Sequence, residues 1–600
     1  MKKKILAIIL LLGMLSVMVL GCATTADTSG SAGTTKTGTT TTGVASTTGT
    51  SGAQVTAPGE LPVTTETVKL TMGITQNVRV EDYEDNFMTK MVLDECGIDL
   101  DFVLFPTDQP EQKIQLMISS GEKLPDIIHY SFSDAQRAAY GADGVFKPLN
   151  DYMDNLTFWY NKADMEQSEY DQIKVLGTSP DGNFYGFPAY TNGLGDVVQY
   201  MMNINHTWLD KLGLSMPTTT EEFYNVLVAF RDKDPNGNGK KDEIPFLTSS
   251  GQWSAVNWHE IINSFVYWDP WYTTSYFDVT DGKLWAPFIT DEWREAMRYL
   301  RKLVKEGLMS ELSFSMTGAE HKAAVNLTPD QDTVVGVVGG HYIVLWDSGN
   351  ENIMQYDAMP ALTGPEGVCW SPQRTANFMY STFITKDNPY PEISFRMFDY
   401  WWDEKRSLIT RYGEPGVHFD YAADDPSGFL TKYPYLGVGA IAQNMTAAKY
   451  NTIPNVQNPW TSQEPHKSIW NTHFCCGLPS KTYSGSASLT PVPTTWTEAK
   501  EKGWGPDAQM SWINLQYYNL RANKEPKEVA KRLLFTAEED TAINELRTTI
   551  NSYINESIAL FATGTMDIEK DWDTYVQSLK DMGLQQYLET SQAAYDRMYK

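Results

Sequence analysis

Residues 234–243 carry side chains whose types and spacing fit one kind of chemistry, the binding of a hard cation. Oxygen-bearing side chains occupy the first, third and fifth positions, and Gly239 then permits a tight turn, as in the first half of an EF-hand calcium loop. The twelfth position is Pro245 rather than Glu, so acidic residues nearer in sequence must close the site. The candidate Ca²⁺ ligands are Asp234, Asn236, Asn238, Lys240 (through its carbonyl), Asp242 and Glu243. We predict a structural calcium site; the alternative is an ordinary Asn- and Gly-rich turn after a helix.

Two other segments resemble catalytic motifs but lack a residue that the chemistry needs. His259 and Glu260 begin like the HExxH sequence of zinc proteases, yet Asn263 stands where the second His ligand belongs. The glycine-rich residues 336–340 lack the Lys and Ser or Thr of a phosphate-binding loop and are typical of a strand end with a close backbone approach. We therefore predict no catalytic residues and expect that the protein is not an enzyme.

Aromatic residues crowd the stretch between Trp253 and Trp285. The C–H faces of a pyranose ring pack on aromatic side chains, while its hydroxyls need hydrogen-bonding partners, so this crowding favours a carbohydrate ligand. For any single Trp, burial in a core is the competing interpretation, but for the cluster we expect at least one ring to face a ligand. The candidate ligand-binding residues are Tyr130, Tyr190, Trp253, Trp258, Trp268, Trp271, Arg411, Tyr412 and Glu414.

The N-terminus predicts export and lipid anchoring. Three lysines precede an apolar run at residues 5–20, which is typical of a signal peptide spanning residues 1–21. The run ends in Gly-Cys22, a pattern that resembles the bacterial lipobox, in which the Cys is lipidated; the alternative is a plain export signal followed by a buried Cys. Residues 22–60 are rich in Thr, Ser and Gly and predict a flexible linker. We expect the body to lie on the extracytoplasmic face of a cell membrane, held only by the lipid.

The composition limits the partners of the mature protein. Removal of the three signal-peptide lysines changes the formal net charge from −28 to −31, which disfavours nucleic acid and anionic lipid as partners. Four cysteines remain beyond Cys22, too few for a disulfide framework in an exported protein of this size. A body of about 540 residues exceeds what one hydrophobic core serves, so two or more lobes are expected.

The hydrophobic patterns alternate between strands and helices, which predicts an α/β fold. Residues 68–129 follow a β-α-β-α-β order, and ligands of such parallel sheets bind beyond the carboxyl ends of the strands. We assign residues 61–195 to a first lobe, with a return segment at about 345–400. Residues 196–344, completed by a partly helical region at about 400–600, are assigned to a second lobe.

Motifs at residues 124–128, 144–150, 181–188, 208–213, 234–243, 412–416, 561–564 and 594–597 occur in an order that resembles a known family. The chain is similar over residues 65–600 to the large extracellular solute-binding proteins (family 1) of bacterial carbohydrate ABC importers, including LplA-like and alginate-binding lipoproteins. The resemblance implies a two-lobed, periplasmic-binding-protein-like (type II) fold with an interlobe cleft and a helical C-terminal region. It also implies calcium at the six residues named above, a carbohydrate ligand, and ABC permease subunits as partners of a monomer.

Two other functions fit the same features. A secreted carbohydrate-active enzyme with a calcium site, a glycosidase or a lyase, needs two carboxylates at catalytic separation in the cleft. A sensory or adhesive sugar-binding lipoprotein shares the anchor and the ligand class but delivers nothing to a permease. The favoured interpretation is a lipoprotein that captures an oligosaccharide or sugar and delivers it to an ABC permease.

Overall fold

A computed structural model gives the structure of most of the chain beyond residue 53. The described residues are 54–76, 80, 82–85, 87–162, 167–191, 200–251, 255–256, 258–271, 275–347, 349–373, 377–403, 406, 505–521 and 524–600. Residues Gly52–Lys600 form one unit, built around two main β-sheets. Cys22 and the predicted signal peptide lie outside the described residues.

The described elements alternate strands with helices and become helical towards the C-terminus. The strands are β1 (Val68–Thr75), β2 (Ile98–Phe105), β3 (Ile127–His129), β4 (Phe187–Thr191), β5 (Met202–Asn205), β6 (Ile244–Leu247), β7 (Asp278–Thr280), β8 (Lys283–Trp285), β9 (Val335–Gly339), β10 (Tyr356–Ala358) and β11 (Asn377–Ile384). The helices are α1 (Phe87–Cys96), α2 (Pro110–Ser120), α3 (Asp134–Ala142), α4 (Asn150–Asn155), α5 (Gln167–Gly177), α6 (His206–Leu212), α7 (Thr220–Asp232), α8 (Trp258–Ile262), α9 (Asp291–Lys305), α10 (Gly318–Ala323), α11 (Tyr342–Leu345), α12 (Pro391–Tyr400), α13 (Pro506–Arg521), α14 (Ala537–Thr563), α15 (Trp572–Asp581) and α16 (Leu584–Tyr599).

The first sheet has the strand order β2-β1-β3-β11-β4. β1 pairs in parallel with β2 and β3, because α1 and α2 cross over between them, so the predicted β-α-β-α-β order is confirmed. The carboxyl ends of the three strands, at Thr75, Phe105 and His129, share one edge of the sheet. β11 enters between β3 and β4, antiparallel to both, after the chain has passed through the second sheet.

The second sheet has the order β10-β5-β9-β6, with β6 and β9 parallel. Before this sheet, α7 begins with a capping box, as the Thr219 and Glu222 spacing predicts: Thr219 Oγ1 accepts the Glu222 N–H at 3.1 Å, and the Glu222 carboxylate accepts the Thr219 N–H at 3.2 Å. Phe230 of α7 packs so close to β9 that a Cβ on Gly336 would lie 2.3 Å from its ring. The predicted close backbone approach at the glycine-rich stretch is therefore confirmed.

The C-terminal helices pack against the elements around the second sheet. α14, α15 and α16 share one hydrophobic core with α7, α9 and the second sheet, and α13 packs against β10. Hydrogen bonds reinforce this packing: Tyr575 Oη donates to Phe288 O at 3.0 Å, and Tyr587 Oη donates to Ser275 O at 3.0 Å. Among the described residues, no helix combines the length and the apolar character that crossing a membrane requires.

The chain rejoins the first sheet later than the sequence patterns indicate. β10 pairs with β5 in the second sheet, and the first-sheet strand β11 begins only at Asn377. The predicted return segment, from about residue 345, therefore begins with residues that belong to the second lobe. Three residues in β10 are too few for hydrophobic periodicity to indicate which sheet they join.

Candidate functional site

An exposed tryptophan in the second lobe is held in a fixed orientation by two other rings. Trp271 is 49% exposed, the highest value for any Trp among the described residues. Its indole stacks on Tyr200, with ring centroids 5.5 Å apart and planes inclined by 28°, and its Nε1–H donates to His259 Nδ1 at 2.7 Å. We call Trp271, Tyr200 and His259 the platform. A flat, half-exposed ring that is fixed in this way offers a stacking face to a ligand.

The platform lies where the chain passes between the two sheets. Tyr200 lies two residues before β5 of the second sheet, and the strand before it in the chain, β4, belongs to the first sheet. A group at this place can respond to the relative position of the lobes, because the crossing segments are where hinge rotation occurs in two-lobed proteins.

Two tryptophans that were predicted to bind ligand are instead core residues. Trp258 and Trp268 are 6% and 1% exposed. Trp258 packs on Phe314 with ring centroids 4.9 Å apart, and Trp268 meets the His259 ring edge-on at 4.8 Å. Because both are buried, neither is available to stack on a ligand. Both rings instead pack against His259 of the platform. The clustering of aromatic residues in the sequence does not show which of these tryptophans are buried, because burial depends on tertiary packing.

His259 is uncharged in the folded protein. Burial, with no compensating partner charge, lowers its pKa to about 3. The bond from Trp271 requires Nδ1 to be the acceptor, which assigns the proton to Nε2. Nε2 is buried and has no hydrogen-bond partner among the described residues. The imidazole therefore acts as a neutral acceptor that orients the indole.

The backbone of Trp271 is held by a buried charged network. Its N–H donates to Asp269 Oδ1 at 3.1 Å, and Asp269 Oδ2 lies 3.4 Å from Lys531 Nζ. Lys531 also contacts Glu525, whose pKa is raised by burial although the Lys531 charge opposes the shift. No sequence pattern indicated Lys531, which is far from Trp271 along the chain.

The residues that resembled a zinc-protease motif have structural roles. The buried Glu260 carboxylate forms an ion pair with Arg521, whose Nε also donates to Met359 O at 3.2 Å. The Asn263 amide donates to Trp268 O at 2.8 Å and to His259 O at 2.9 Å. These contacts join α8 to the segment after it and to α13, and they leave the Glu260 carboxylate neutralised by a partner.

On the first lobe, Tyr130 lies directly after β3, at the edge of the sheet where the parallel strands end. It is partly buried, its ring meets Phe132 edge-on at 4.8 Å, and its hydroxyl lies 3.5 Å from Glu111 Oε2. Burial, and then the Glu111 charge, raise its pKa. Tyr130 therefore follows a strand of the first sheet, as the sequence indicated, and its role in ligand binding stays a prediction. No described contact joins it to the platform.

For the other ligand-binding candidates, the structure gives only a strand position or nothing. Tyr190 lies in β4, opposite Phe378 of β11. Trp253, Arg411, Tyr412 and Glu414 lie outside the described residues.

The six predicted calcium ligands lie together in the loop between α7 and β6. Asp234, at a left-handed φ of 46°, accepts the N–H groups of Gly237 at 2.9 Å and Asn238 at 3.1 Å through Oδ1, and that of Gly239 at 3.0 Å through Oδ2. The side-chain amides of Asn236 and Asn238 both lie within 3.3 Å of Asp242 Oδ1. The loop thus folds its oxygen-bearing side chains towards each other.

The donor set fits a calcium ion. Glu243 Oε1 is buried without a hydrogen-bond partner among the described residues, and burial, followed by the charges of Asp234 and Asp242, raises the Glu243 pKa. A cation would relieve both costs. His, Cys, Asp and Glu side chains alone form no metal-sized group in the described parts of the chain. Binding would therefore also need the Asn amide oxygens and the Lys240 carbonyl.

One residue near the loop was missed by sequence reasoning. Asp332, just before β9, accepts a hydrogen bond from Asn238 Nδ2 at 3.1 Å. It adds negative charge beside the loop and joins the loop to the second sheet. Its position follows from the parallel pairing of β6 with β9, which brings the residues before both strands together.

Comparison with known proteins shows which family the chain resembles. The sequence model of the bacterial extracellular solute-binding proteins matches residues 83–368. The fructooligosaccharide ABC transporter substrate-binding protein FusA of Streptococcus pneumoniae serotype 4 is 27% identical over 540 residues, which cover 86% of this chain and 88% of FusA. The chain is therefore similar to bacterial extracellular solute-binding proteins over most of its length. Another relative, lipoprotein LipO of Bacillus subtilis (strain 168), is 25% identical over 338 residues, which cover 54% of this chain and 62% of LipO.

Solved structures share the fold of this chain. An HMO-binding, ABC-transporter-associated solute-binding protein from Bifidobacterium longum infantis has a TM-score of 0.66 at 19% identity, with 89% of this chain and 99% of that one covered. An EF-hand mutant of the S. pneumoniae FusA, in complex with fructo-nystose, has a TM-score of 0.59 at 23% identity, with 88% and 99% covered. The two-lobed α/β fold inferred from the sequence is confirmed.

Proposed function

We propose that this chain captures an oligosaccharide at the Trp271 platform, between its two lobes, and delivers it to the permease of an ABC importer. The observation that carries the proposal is the half-exposed Trp271 ring, stacked on Tyr200 and hydrogen-bonded to His259. The relative FusA, named as a fructooligosaccharide-binding protein of an ABC transporter and described in complex with kestose, supports both the ligand class and the partner.

The fixed platform favours sugar binding for an entropic reason. A side chain that is already immobilised loses no rotamer freedom when a ligand stacks on it, a cost that otherwise amounts to about 0.5–1.5 kcal/mol for each immobilised side chain. Sugar hydroxyls would then be bound by polar groups from both lobes, Tyr130 among them, and rotation about the crossing segments would shift the population to the closed form.

The charged groups near the platform support binding without bond cleavage. Glu260 is paired with Arg521, and Asp269 is bound to Lys531 and to the Trp271 backbone. A glycosidase needs an acidic and a basic carboxyl group on either side of the scissile bond, whereas these carboxylates are engaged in ion pairs within the protein. We therefore propose that the ligand is released intact to the permease.

The proposal includes an anchor and a metal. The lipobox at Cys22, together with the relative LipO, supports a lipoprotein on the extracytoplasmic face of the membrane. The loop at residues 234–243 would hold Ca²⁺ through the six predicted residues, and the ion would supply a fixed positive charge that keeps α7 and β6 in place. The role is structural, because the platform contains none of these residues.

Isothermal titration of the soluble chain from residue 54 onward tests the proposal. The probes are kestose, maltotriose and a trigalacturonate, each followed by chromatography of the recovered sugar. We expect micromolar or tighter binding of at least one probe, with the sugar recovered intact. Cleavage of a probe, or binding of none, would count against the proposal.

A matched pair of variants then locates the site. Trp271→Ala should weaken binding about tenfold or more, because truncation of a ring that anchors a ligand costs more than about 1.4 kcal/mol. Trp285→Ala is the control: this Trp is partly exposed, donates to Thr280 Oγ1 at 3.1 Å and lies in β8, outside the platform. Equal losses in the two variants would show that the platform is not the binding site.

A further inference from the structure

Two segments that connect the lobes lie against each other beside the platform. The first runs from β10 of the second sheet to β11 of the first sheet, and the second follows α13. Ser371 N–H donates to Lys524 O at 2.8 Å, and Gln373 Nε2 donates to Arg521 O at 2.9 Å. The Gln373 N–H donates to Glu525 Oε1 at 2.5 Å. We call residues 370–373 the crossover, since β11 follows them in the first lobe.

The second segment, which follows α13, also contacts the first lobe through Arg532. Arg532, the next residue after Lys531, donates through Nε to Asp134 Oδ2 at 2.6 Å, at the start of α3. Its guanidinium also lies 5.9 Å from the centre of the Tyr380 ring in β11. The part of the chain around Lys531 therefore touches both lobes.

The Lys531 ammonium group joins three segments. It is nearly buried, with 9% of its side chain exposed, and it contacts Asp269 Oδ2 at 3.4 Å. It also donates to Glu525 Oε1 and to the backbone carbonyl of Gln373 in the crossover. An ammonium group has three donors and no acceptor, so it suits a position among oxygens from different segments.

The two carboxylates that form ion pairs with Lys531 each accept a hydrogen bond from a backbone N–H group, and these two N–H groups lie in different segments. Asp269 accepts the N–H of Trp271 in the platform, and Glu525 accepts the N–H of Gln373 in the crossover. Without the ammonium group, Asp269 and Glu525 would lose the cation that they share, and loss of the partner of a buried charge is strongly destabilising. One cation thus keeps the platform and the crossover in a common arrangement.

We propose that Lys531 is a positioning residue that couples sugar binding at the platform to closure of the two lobes, by linking the Trp271 backbone to the crossover through Asp269 and Glu525. This rests on the proposed function for its ligand, but the linkage itself belongs to the ligand-free protein and can be measured there. Lys531 acts on Trp271 through the Asp269 carboxylate, which accepts the Trp271 backbone N–H.

Hydrogen exchange followed by mass spectrometry tests the linkage without any sugar. In Lys531→Met, which keeps the apolar stem, peptides covering Trp271 and peptides covering Gln373 should both exchange at least tenfold faster, while α9 keeps its protection. Lys527→Met is the control, because Lys527 is exposed and lies four residues before Lys531 in the same segment. A change in only one of the two segments, in neither, or equally in the control would overturn the proposal.

Titration with kestose and small-angle scattering then test the consequence. The wild type should become more compact when kestose binds, Lys531→Met should bind at least tenfold more weakly and not become compact, and Lys531→Arg should restore most of both properties. Retention of full affinity and compaction by Lys531→Met would overturn the coupling. If the wild type binds no sugar at all, the proposed function fails while the exchange result still decides the linkage.

A second variant decides the matter if Lys531→Met does not fold. Asp269→Ala removes the carboxylate that accepts the Trp271 N–H but leaves Lys531 bound to Glu525 and to the crossover. We expect faster exchange at Trp271 alone, unchanged protection at Gln373, and a loss of kestose-induced compaction. Normal compaction in Asp269→Ala would contradict the proposed route.

Discussion

Acidification from pH 7 to pH 5 should destabilise the protein through His259. The ordinary pKa of a histidine, which the unfolded chain approaches, is 6.5, whereas burial lowers the pKa of His259 to about 3 in the folded protein. At pH 5 the unfolded chain has bound the proton and the folded chain has not, so the free energy of unfolding falls as the pH falls below 6.5. The loss at pH 5 is about 2 kcal/mol, and it is set by the unfolded pKa as long as the folded pKa lies well below 5.

Urea unfolding of the wild type and of His259→Gln, at pH 7 and pH 5 with fixed calcium and ionic strength, measures this contribution. The loss of stability between the two pH values should be smaller in the variant by about 2 kcal/mol. His321 and His341, whose pKa values burial lowers to about 4 and about 3, act in the same direction, and Asp278, whose pKa burial raises to about 7, acts in the opposite one. These residues are present in both proteins and cancel in the difference. Equal pH-dependent losses in the two proteins would refute the reasoning.

The same protonation state predicts that ligand binding is insensitive to pH over this range. Because His259 remains neutral at pH 5, its Nδ1 still accepts the indole Nε1–H of Trp271, and the indole ring keeps its orientation. The dissociation constant for a bound oligosaccharide should therefore change less than threefold between pH 7 and pH 5, while the protein loses stability. A parallel loss of affinity would mean that His259 is protonated in the folded protein.

Other perturbations separate the metal, the buried ion pair and the helix cap. Calcium at one hundred times its dissociation constant should stabilise the protein by about 2.7 kcal/mol and so raise its melting temperature. A chelator should reverse this rise. Glu243→Gln should largely abolish the rise, whereas Asp330→Asn, a change at an exposed residue, should not. No response to chelation would contradict the calcium site. Arg521→Met should cost about 3–5 kcal/mol because it strands the Glu260 charge, and adding Glu260→Met should recover part of that loss in urea unfolding; a larger loss in the double variant would show that the charge is not stranded. Thr219→Ala should cost about 1 kcal/mol through loss of the cap, and a cost near zero would mean that the first turn of α7 frays without consequence.

The parts of the fold that depend on local periodicity could be predicted from the sequence. The capping box at Thr219, the buried face of α7 and the β-α-β-α-β order of the first sheet are all encoded within a few residues. The oxygen spacing of residues 234–243 likewise indicated a tight loop, and the chain between α7 and β6 brings those side chains together. Local patterns failed at β10, where three residues join the second sheet and not the first.

The candidate site depends on contacts that no local pattern carries. Trp258, Trp268 and Trp271 are similar in sequence context, yet two are buried and one is half-exposed. The difference arises from the packing of Trp258 on Phe314 and of Trp268 against His259. Sequence reasoning could state that one ring of the cluster would be exposed, but the choice among them required the tertiary structure.

The charges around the platform support the proposal that it binds a ligand without cleaving it. A catalytic carboxyl group must reach its substrate with a pKa matched to proton transfer, whereas Glu260 and Asp269 are buried and bound to Arg521 and Lys531. Both cations come from the C-terminal part of the chain, while the aromatic stretch they support belongs to the middle of the second lobe. The ion pairs are therefore used to fix segments that are distant in sequence. Under the proposed function, a ligand on Trp271 would meet a ring that this framework holds still, so the free energy of binding would go into orientation and lobe closure and not into breaking a bond.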